Sequence, residues 1–119
     1  MKIKLIFFLI YLSLINAFDL TGQSVKTDFE IFIEGKVSEA ISNGQIDKNP
    51  LIIIQGFPLT NPKDKTLVYH TMVIQDVKEL SVLDSKTASE IFDNEAKNGV
   101  LLIVLKRSGK KKLKSLGYL

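Results

Sequence analysis

Two apolar runs dominate the hydrophobic pattern of the second half of the chain. Val100–Leu105 is aliphatic at every position, and Leu51–Ile54 is a shorter run that follows Asn49-Pro50 and ends at Gln55-Gly56. An apolar run without alternation is typical of a strand covered on both faces of a sheet. The sequence therefore predicts two buried strands, with Val100–Leu105 in the middle of the sheet.

The segment before Val100–Leu105 has the pattern of a strand followed by a helix. Residues 79–83 predict a strand, and Asp84 or Ser85 predicts the N-terminal cap of the helix. The apolar stripe of that helix comprises Ala88, Ile91, Phe92 and Ala96. Asn98-Gly99 predicts its end. We expect a right-handed β-α-β unit in which strand 79–83 lies parallel to Val100–Leu105.

The remaining segments carry weaker patterns. Alternation of apolar residues predicts a half-buried strand at Phe29, Ile31 and Ile33. Residues 36–42 predict a two-turn helix that ends at Asn43-Gly44. Residues 60–66 are polar and predict a surface loop, and residues 67–73 are expected to be extended. The predicted fold class is α+β or α/β, a small mixed sheet with two helices.

The first 17 residues have the layout of a secretory signal peptide. Lys2 and Lys4 precede an apolar stretch at residues 5–15, and Ala17 supplies a small residue for cleavage. The alternative is a retained membrane anchor, but a bilayer span needs about 20 apolar residues. We expect cleavage after Ala17, a periplasmic or secreted location, a single domain over residues 18–106 and a basic tail over residues 107–119.

Composition narrows the class of protein further. The chain has 119 residues and no cysteine, so disulfides and thiolate metal sites are excluded, and an exported domain must rely on its own core. The net charge is +3, but residues 18–105 carry eight lysines and 13 acidic residues, a net charge of −5. The globular part is thus acidic, which argues against nucleic acid as a partner.

The last 14 residues carry six positive charges and no acid, and four of these charges are Lys110, Lys111, Lys112 and Lys114. A frayed, solvated terminus explains such a tail. The alternative is peripheral contact with anionic lipid or an acidic protein surface, since a lysine near a charged bilayer contributes about 1 kcal/mol.

The residues offer no catalytic constellation. His70 is the only histidine, which excludes a multi-histidine metal site and leaves a nucleophile without a histidine partner. Glu30 and Glu34 would share the solvent face of a strand, so hydration explains them. The glycines have no phosphate-binding spacing. We predict a protein that is not an enzyme and needs no metal or cofactor.

Four segments together resemble a known family. They are Asn49-Pro-Leu-Ile-Ile-Ile-Gln-Gly-Phe-Pro-Leu59, Asp76-Val-Lys-Glu-Leu-Ser-Val-Leu-Asp84, Lys86-Thr-Ala-Ser-Glu-Ile-Phe92 and Asn98-Gly-Val-Leu-Leu-Ile-Val-Leu-Lys106. In order and spacing they are similar to the plug domain of TonB-dependent outer-membrane receptors, in the version found in Bacteroidetes. That family has an apolar strand ending in Asp-Gly, an Asp-Ile-Glu-Ser-Ile segment, an Ala-Thr-x-x-Tyr-Gly helix and an Asn-Gly-Val-Ile strand.

The chain departs from the family pattern at three places. Gln55 replaces the usual acid, Phe92-Asp93 replaces the aromatic-glycine pair, and Leu105 stands where threonine is common. Residues 18–24 contain no convincing box for engaging TonB. A receptor barrel needs many strands of about ten residues each, more than residues 107–119 could form. We therefore expect a plug-like domain without a barrel.

The resemblance implies a noncatalytic domain that acts through protein contact in the periplasm or cell envelope, linked to TonB-dependent transport. We expect contact loops at one end of the sheet, since loops on a rigid scaffold usually carry recognition. The candidates are Gln55, Gly56, Phe57, Asn61, Asp93, Asn98 and Gly99. Three alternatives stay open: an envelope-surface protein held by its basic tail, a small-ligand module with a pocket between sheet and helices, and a receptor remnant.

Overall fold

The structure is a computed structural model that describes residues 25–119. The predicted signal peptide and residues 18–24 lie outside the described residues, so cleavage after Ala17 stays a prediction. Within the described part, four helices and a four-stranded mixed sheet form a small α+β domain. The predicted mixed α+β class is confirmed, with two more helices than expected.

The elements are, in chain order, α1 (Asp28–Ser42), β1 (Leu51–Ile54), β2 (Phe57–Pro58), α2 (Pro62–Thr71), β3 (Val77–Leu83), α3 (Ser85–Phe92), β4 (Val100–Leu105) and α4 (Arg107–Ser115). Single 3-10 turns occupy Ile74–Asp76 and Asp93–Ala96. The strand order is β2-β1-β4-β3. β4 pairs parallel with β1 and antiparallel with β3, and β2 pairs antiparallel with β1.

The central strand β4 separates two hydrophobic clusters. On the first face of the sheet, which bears Leu101, Ile103 and Leu105, side chains from α1, α2 and α4 form the larger cluster. On the second face, which bears Val100 and Leu102, the smaller cluster is covered by Ala88, Phe92 and Ala96 of α3 and the turn after it. The prediction that Val100–Leu105 is a central strand is confirmed, but the predicted cover on both faces is incomplete, because Val104 is 37% exposed.

The expected β-α-β unit is wrong, because β3 and β4 are antiparallel. A parallel crossover requires the helix to carry the chain back along the preceding strand. β3 has seven residues, about 23 Å, whereas the eight residues of α3 span about 12 Å. The chain instead returns to the end of the sheet that it left, where Leu83 pairs with Val100. The parallel neighbour of β4 is β1.

The strand predicted at Phe29, Ile31 and Ile33 is wrong, because these residues belong to α1. Phe29 and Ile33 are four residues apart and both buried, whereas Ile31 is 55% exposed. The Thr27 hydroxyl caps the helix by accepting a hydrogen bond from the Glu30 amide at 3.1 Å. The helical spacing of Phe29 and Ile33 and the cap at Thr27 therefore outweigh the short apolar–polar alternation that predicted a strand. The helix ends at Asn43, as predicted, and Gly44 has a φ of +73°.

The polar loop and the extended segment predicted between residues 60 and 73 are also wrong, because α2 occupies most of them. The Asn61 side chain accepts a hydrogen bond from the Lys63 amide at 2.8 Å, and Pro62 is the first helical residue. Asparagine at the cap and proline in the first turn are typical of a helix start. Burial of Val68 and Tyr69 against α1 and the sheet then stabilises the helix.

The C-terminal tail is not a frayed, solvated segment, since α4 packs on the first face of the sheet. Leu113 is fully buried within the larger cluster, and Leu116 and Tyr118 lie against it. Gly109 lets the helix approach closely, since a Cβ atom there would lie 3.0 Å from the Cβ atoms of Asp76 and Leu105. The lysines of this segment are therefore carried on a fixed helix.

The close approach of α4 predicts opposite effects for the same substitution at two helical glycines. Gly109→Ala forces α4 away from Asp76 and should lower the free energy of unfolding by about 1 to 3 kcal/mol. Gly35→Ala in α1, where a Cβ atom meets nothing within 4 Å, should raise it by about 0.5 to 1 kcal/mol. Urea denaturation of both variants measures this, and an equal gain at both sites would contradict the packing of α4.

Candidate contact surface

A two-residue turn at Gln55-Gly56 joins β1 to β2. Both residues have positive φ, +50° and +82°, as a type I′ hairpin turn requires. The Gln55 amide donates to the Ile103 carbonyl at 2.8 Å, and the Gln55 side-chain oxygen accepts from the Leu105 amide at 2.9 Å. Because the Leu105 amide lies beyond the end of β1, the Gln55 side chain extends the parallel ladder by one bond. The turn is thereby fixed to β4.

Beside this turn, the second face of the sheet carries an open groove of about 290 Å³. Its lining residues are Ile53, Gln55, Gly56, Phe92, Leu102, Ile103 and Val104. The groove exists because α3 and the turn after it cover the beginning of β4 and leave the end of the strand open. Val104 is 37% exposed although it lies in the central strand, and Ile91, next to Phe92, is 60% exposed.

Asp93 has a strained backbone conformation at the end of α3. Its φ is +64° and its ψ is −155°, a region that is essentially restricted to glycine and costs about 1 to 3 kcal/mol for other residues. The plug pattern has glycine at this position. Asp93 follows Phe92, which lines the groove. The strain therefore lies next to the groove.

Phe57 and Asn61, two predicted contact residues, have structural roles away from the groove. The Phe57 ring packs on the Tyr118 ring, with centroids 4.7 Å apart. The Tyr118 hydroxyl donates a hydrogen bond to Asp64, and this bond raises the pKa of the tyrosine. Asn61 caps α2. These side chains join β2 and α2 to the C-terminal end of the chain.

Asn98 and Gly99 lie at the opposite end of the sheet from Gln55-Gly56, because they precede β4 whereas the turn follows the parallel strand β1. Gly99 is buried, has a φ of +98°, and a Cβ atom there would overlap the Ile46 side chain. The expectation that all contact loops share one end of the sheet is therefore wrong.

A buried carboxylate fixes α4 to the rest of the domain. Asp76 is 2% exposed, and its carboxylate accepts hydrogen bonds from Ser108 Oγ at 2.7 Å, Lys112 Nζ at 2.7 Å and the Val73 amide at 3.0 Å. Burial pushes the pKa of Asp76 upward, but the bonds from Lys112, Ser108 and Val73 outweigh burial and hold the pKa below its ordinary value. Asp76 is therefore ionised and paired at neutral pH.

Lys112 is thus a structural residue, whereas the other cations of α4 face solvent. Arg107, Lys110, Lys111 and Lys114 are exposed on α4. The first turn of α4 contains no acid, and in the described part of the chain no salt bridge involves these four side chains. The outer surface of α4, formed by these four residues, is termed the basic face.

The described residues hold no cluster of metal ligands. Residues 25–119 contain no group of three His, Asp or Glu side chains that could hold a metal ion. His70 is exposed at the end of α2. Burial, with a smaller effect of Glu30 and Glu34, raises the pKa of Tyr69 to about 12, so this tyrosine is neutral at neutral pH. Over the same residues, no helix has the length and apolar character that a bilayer span requires.

Comparison with known proteins gave no match, since no protein-family model, curated protein or solved structure matches the chain. The resemblance to receptor plugs therefore stays an expectation that rests on the four sequence segments alone.

The sequence did not indicate two features of the structure, the exposure of Val104 and the buried pairing of Asp76. Val104 lies in an unbroken apolar run, and such a run predicts cover on both faces, so its exposure had no signal. In the sequence, Asp76 stands out only as the first residue of the segment Asp76–Asp84, which resembles the plug family. Its signal was the spacing of Ser108 and Lys112, which are four residues apart and lie on one face of a helix, but only if the tail is helical.

Relief of the strain at Asp93 is directly measurable. Asp93→Gly should raise the free energy of unfolding by about 1 kcal/mol, because glycine adopts the observed backbone angles without strain. Glu95→Gly, in the same turn but without positive φ, should lower it by about 0.5 to 1 kcal/mol. Thermal and urea denaturation test the pair, and destabilisation by Asp93→Gly would show that this backbone is not strained.

Proposed function

We propose that the chain is an exported, noncatalytic, plug-like domain that acts by binding an envelope protein, in connection with TonB-dependent outer-membrane transport. The proposed contact surface is the groove beside the Gln55-Gly56 turn. The partner segment would be apolar, because the groove is lined mainly by Ile53, Phe92, Leu102 and Val104.

The order of elements supports the plug-like class. The apolar strand β1 ends in a glycine turn, β3 begins after an aspartate, α3 follows, and Asn98-Gly99 leads into β4. This is the order of the family pattern. Of the three departures from the pattern, Gln55 lines the groove and Asp93 follows Phe92, which also lines it, whereas Leu105 is buried in the core. The plug-like domain would thus keep the framework and differ mainly at the contact surface.

The exposure of Val104 is the observation that carries the contact proposal. A strand that is apolar at every position is normally covered on both faces, but in this domain the second face is open where β4 ends. Exposed apolar groups that lie together on a small domain are typical of an interaction site. The strained Asp93 beside them supports the same interpretation, since strain of this kind is concentrated at functional sites.

The basic face supports a second candidate function, attachment to an anionic envelope surface. Four exposed cations lie on one rigid helix without acidic partners among the described residues. Arg107, the first residue of the helix, also opposes the helix dipole, which costs about 0.3 to 1 kcal/mol. Attachment to anionic headgroups would offset that cost.

A photoreactive side chain distinguishes the two candidates. A benzophenone amino acid is placed at Val104 or, as the matched control, at Lys111, in the full-length chain produced in its native cells. We expect a cross-link from Val104 to one envelope protein, and none from Lys111. Val104→Glu should then weaken binding of the identified protein at least tenfold, because a charge would be buried in an apolar groove. Lys111→Glu should leave that binding unchanged.

Two results would overturn the proposal. A folded chain that remains in the cytosolic fraction would reject export. Cross-links from Lys111 alone, together with loss of envelope association in Lys111→Glu, would replace the groove by the basic face as the functional surface.

A further inference from the structure

The two edge strands of the sheet, β2 and β3, differ in how well they are protected from pairing with another strand. The β2 edge is two residues long and ends in Pro58, which lacks an amide hydrogen. The β3 edge is seven residues long. Its register shift between Val77 and Glu79 disturbs only the first part, so that residues 79–83 form a regular strand. A long regular edge is a template for further strand pairing.

The backbone groups that face outward on β3 follow from the ladder. The carbonyls of Gly99 and Ile103 and the amide of Leu105 bond toward β1, so the odd-numbered residues of β4 face β1. The even-numbered residues therefore face β3, where Ser81 pairs with Leu102 and Leu83 with Val100.

It follows that Leu80 and Val82 direct their amides and carbonyls away from the sheet. Within residues 25–119, no backbone hydrogen bond outside the regular helices and strands involves Leu80 or Val82. Beside this edge lies a groove of about 430 Å³ between α1 and β3. Phe32, Leu80 and Val82 line it and are only half-buried. The edge thus offers backbone groups together with apolar side chains.

We propose that a second copy of this chain pairs with the β3 edge, through a two-fold axis at Ser81. Leu80 of each copy then lies opposite Val82 of the other copy, and each such pair exchanges two backbone hydrogen bonds. The two sheets become one continuous sheet of eight strands. The half-buried side chains of the α1–β3 groove are covered by their symmetry mates.

The charges at the ends of β3 select this register. A two-fold axis at Ser81 brings Lys78 opposite Asp84 of the second copy, twice in the dimer. Lys78 lines the groove, and both side chains are exposed. Glu79 lies opposite Leu83 of the second copy, so this register places no two like charges opposite each other. An axis at Leu80 would instead bring Lys78 opposite Val82 and lose both charge pairs. The dimer is independent of the proposed function, which uses the second face of the sheet.

Single cysteines test the register directly, because the natural chain has no cysteine. Facing residues at a non-hydrogen-bonded antiparallel position have Cα atoms about 4.5 Å apart, within the range of a disulfide. We expect Ser81→Cys, in protein purified from cells expressing the full-length chain, to form a disulfide-linked dimer on mild oxidation. Glu79→Cys is the matched control on the same strand. Its two copies would lie about 13 Å apart, too far for a disulfide.

Sedimentation equilibrium measures the association without cysteines. The natural chain should show a monomer–dimer equilibrium at micromolar concentration. Lys78→Glu, which would face Asp84, should weaken the dimer about tenfold. Lys86→Glu on α3, an equal change of charge at an exposed residue away from the edge, should leave the equilibrium unchanged.

The proposal is overturned if the natural chain is monomeric at 100 μM, a concentration on the order of those used to detect weak association. It is also overturned if Glu79→Cys cross-links as fast as Ser81→Cys, since random collision favours the more exposed position. Equal effects of Lys78→Glu and Lys86→Glu would likewise reject the assigned register.

Discussion

The buried carboxylate of Asp76 is the constraint on which the rest of this domain depends. Its oxygens accept hydrogen bonds from Val73, Ser108 and Lys112, and its backbone carbonyl accepts one from the Lys106 amide at 2.7 Å. One residue thereby joins the turn after α2, the start of β3, the end of β4 and helix α4. A buried charge is tolerated only when it is paired in this way, so the four segments are stable together rather than separately.

The position of α4 determines which surfaces are free. Because Leu113 is buried and Lys112 is paired with Asp76, the remaining cations form a basic face of fixed geometry. With α1, α2 and α4 all on the first face, the second face has only α3 and a turn, which leaves Val104 open. The groove between α1 and β3 is a separate feature, because it lies on the first face, beside the β3 edge.

The sequence predicted the parts of the fold that depend on local apolar runs. β1 and β4 were readable from their continuous apolar residues, residues 79–83 of β3 from a shorter strand pattern, and the cap of α3 at Asp84 from a carboxylate that acts within a few positions. The strand pairing of β3 was not, since it depends on the length of α3 relative to β3. Residues 29–33 fit both an alternating and a helical period, and packing of Phe29 and Ile33 decides between them. Of the candidate site, Gln55 and Gly56 were predicted as part of a contact loop, whereas the exposure of Val104 and the pairing of Asp76 arise only from tertiary packing.

The most direct test is the free energy of unfolding of the natural chain and of Asp76→Asn, measured by urea denaturation from pH 7 down to pH 2. The folded state lowers the pKa of Asp76 from 3.8, so the stability from its ionised form is full above pH 3.8 and lost as the pH falls through the lower folded pKa. We predict that Asp76→Asn is less stable by about 3 kcal/mol at pH 7 and that this difference shrinks toward zero in acid. A negligible difference at pH 7, or one that does not change with pH, would contradict the central role of Asp76.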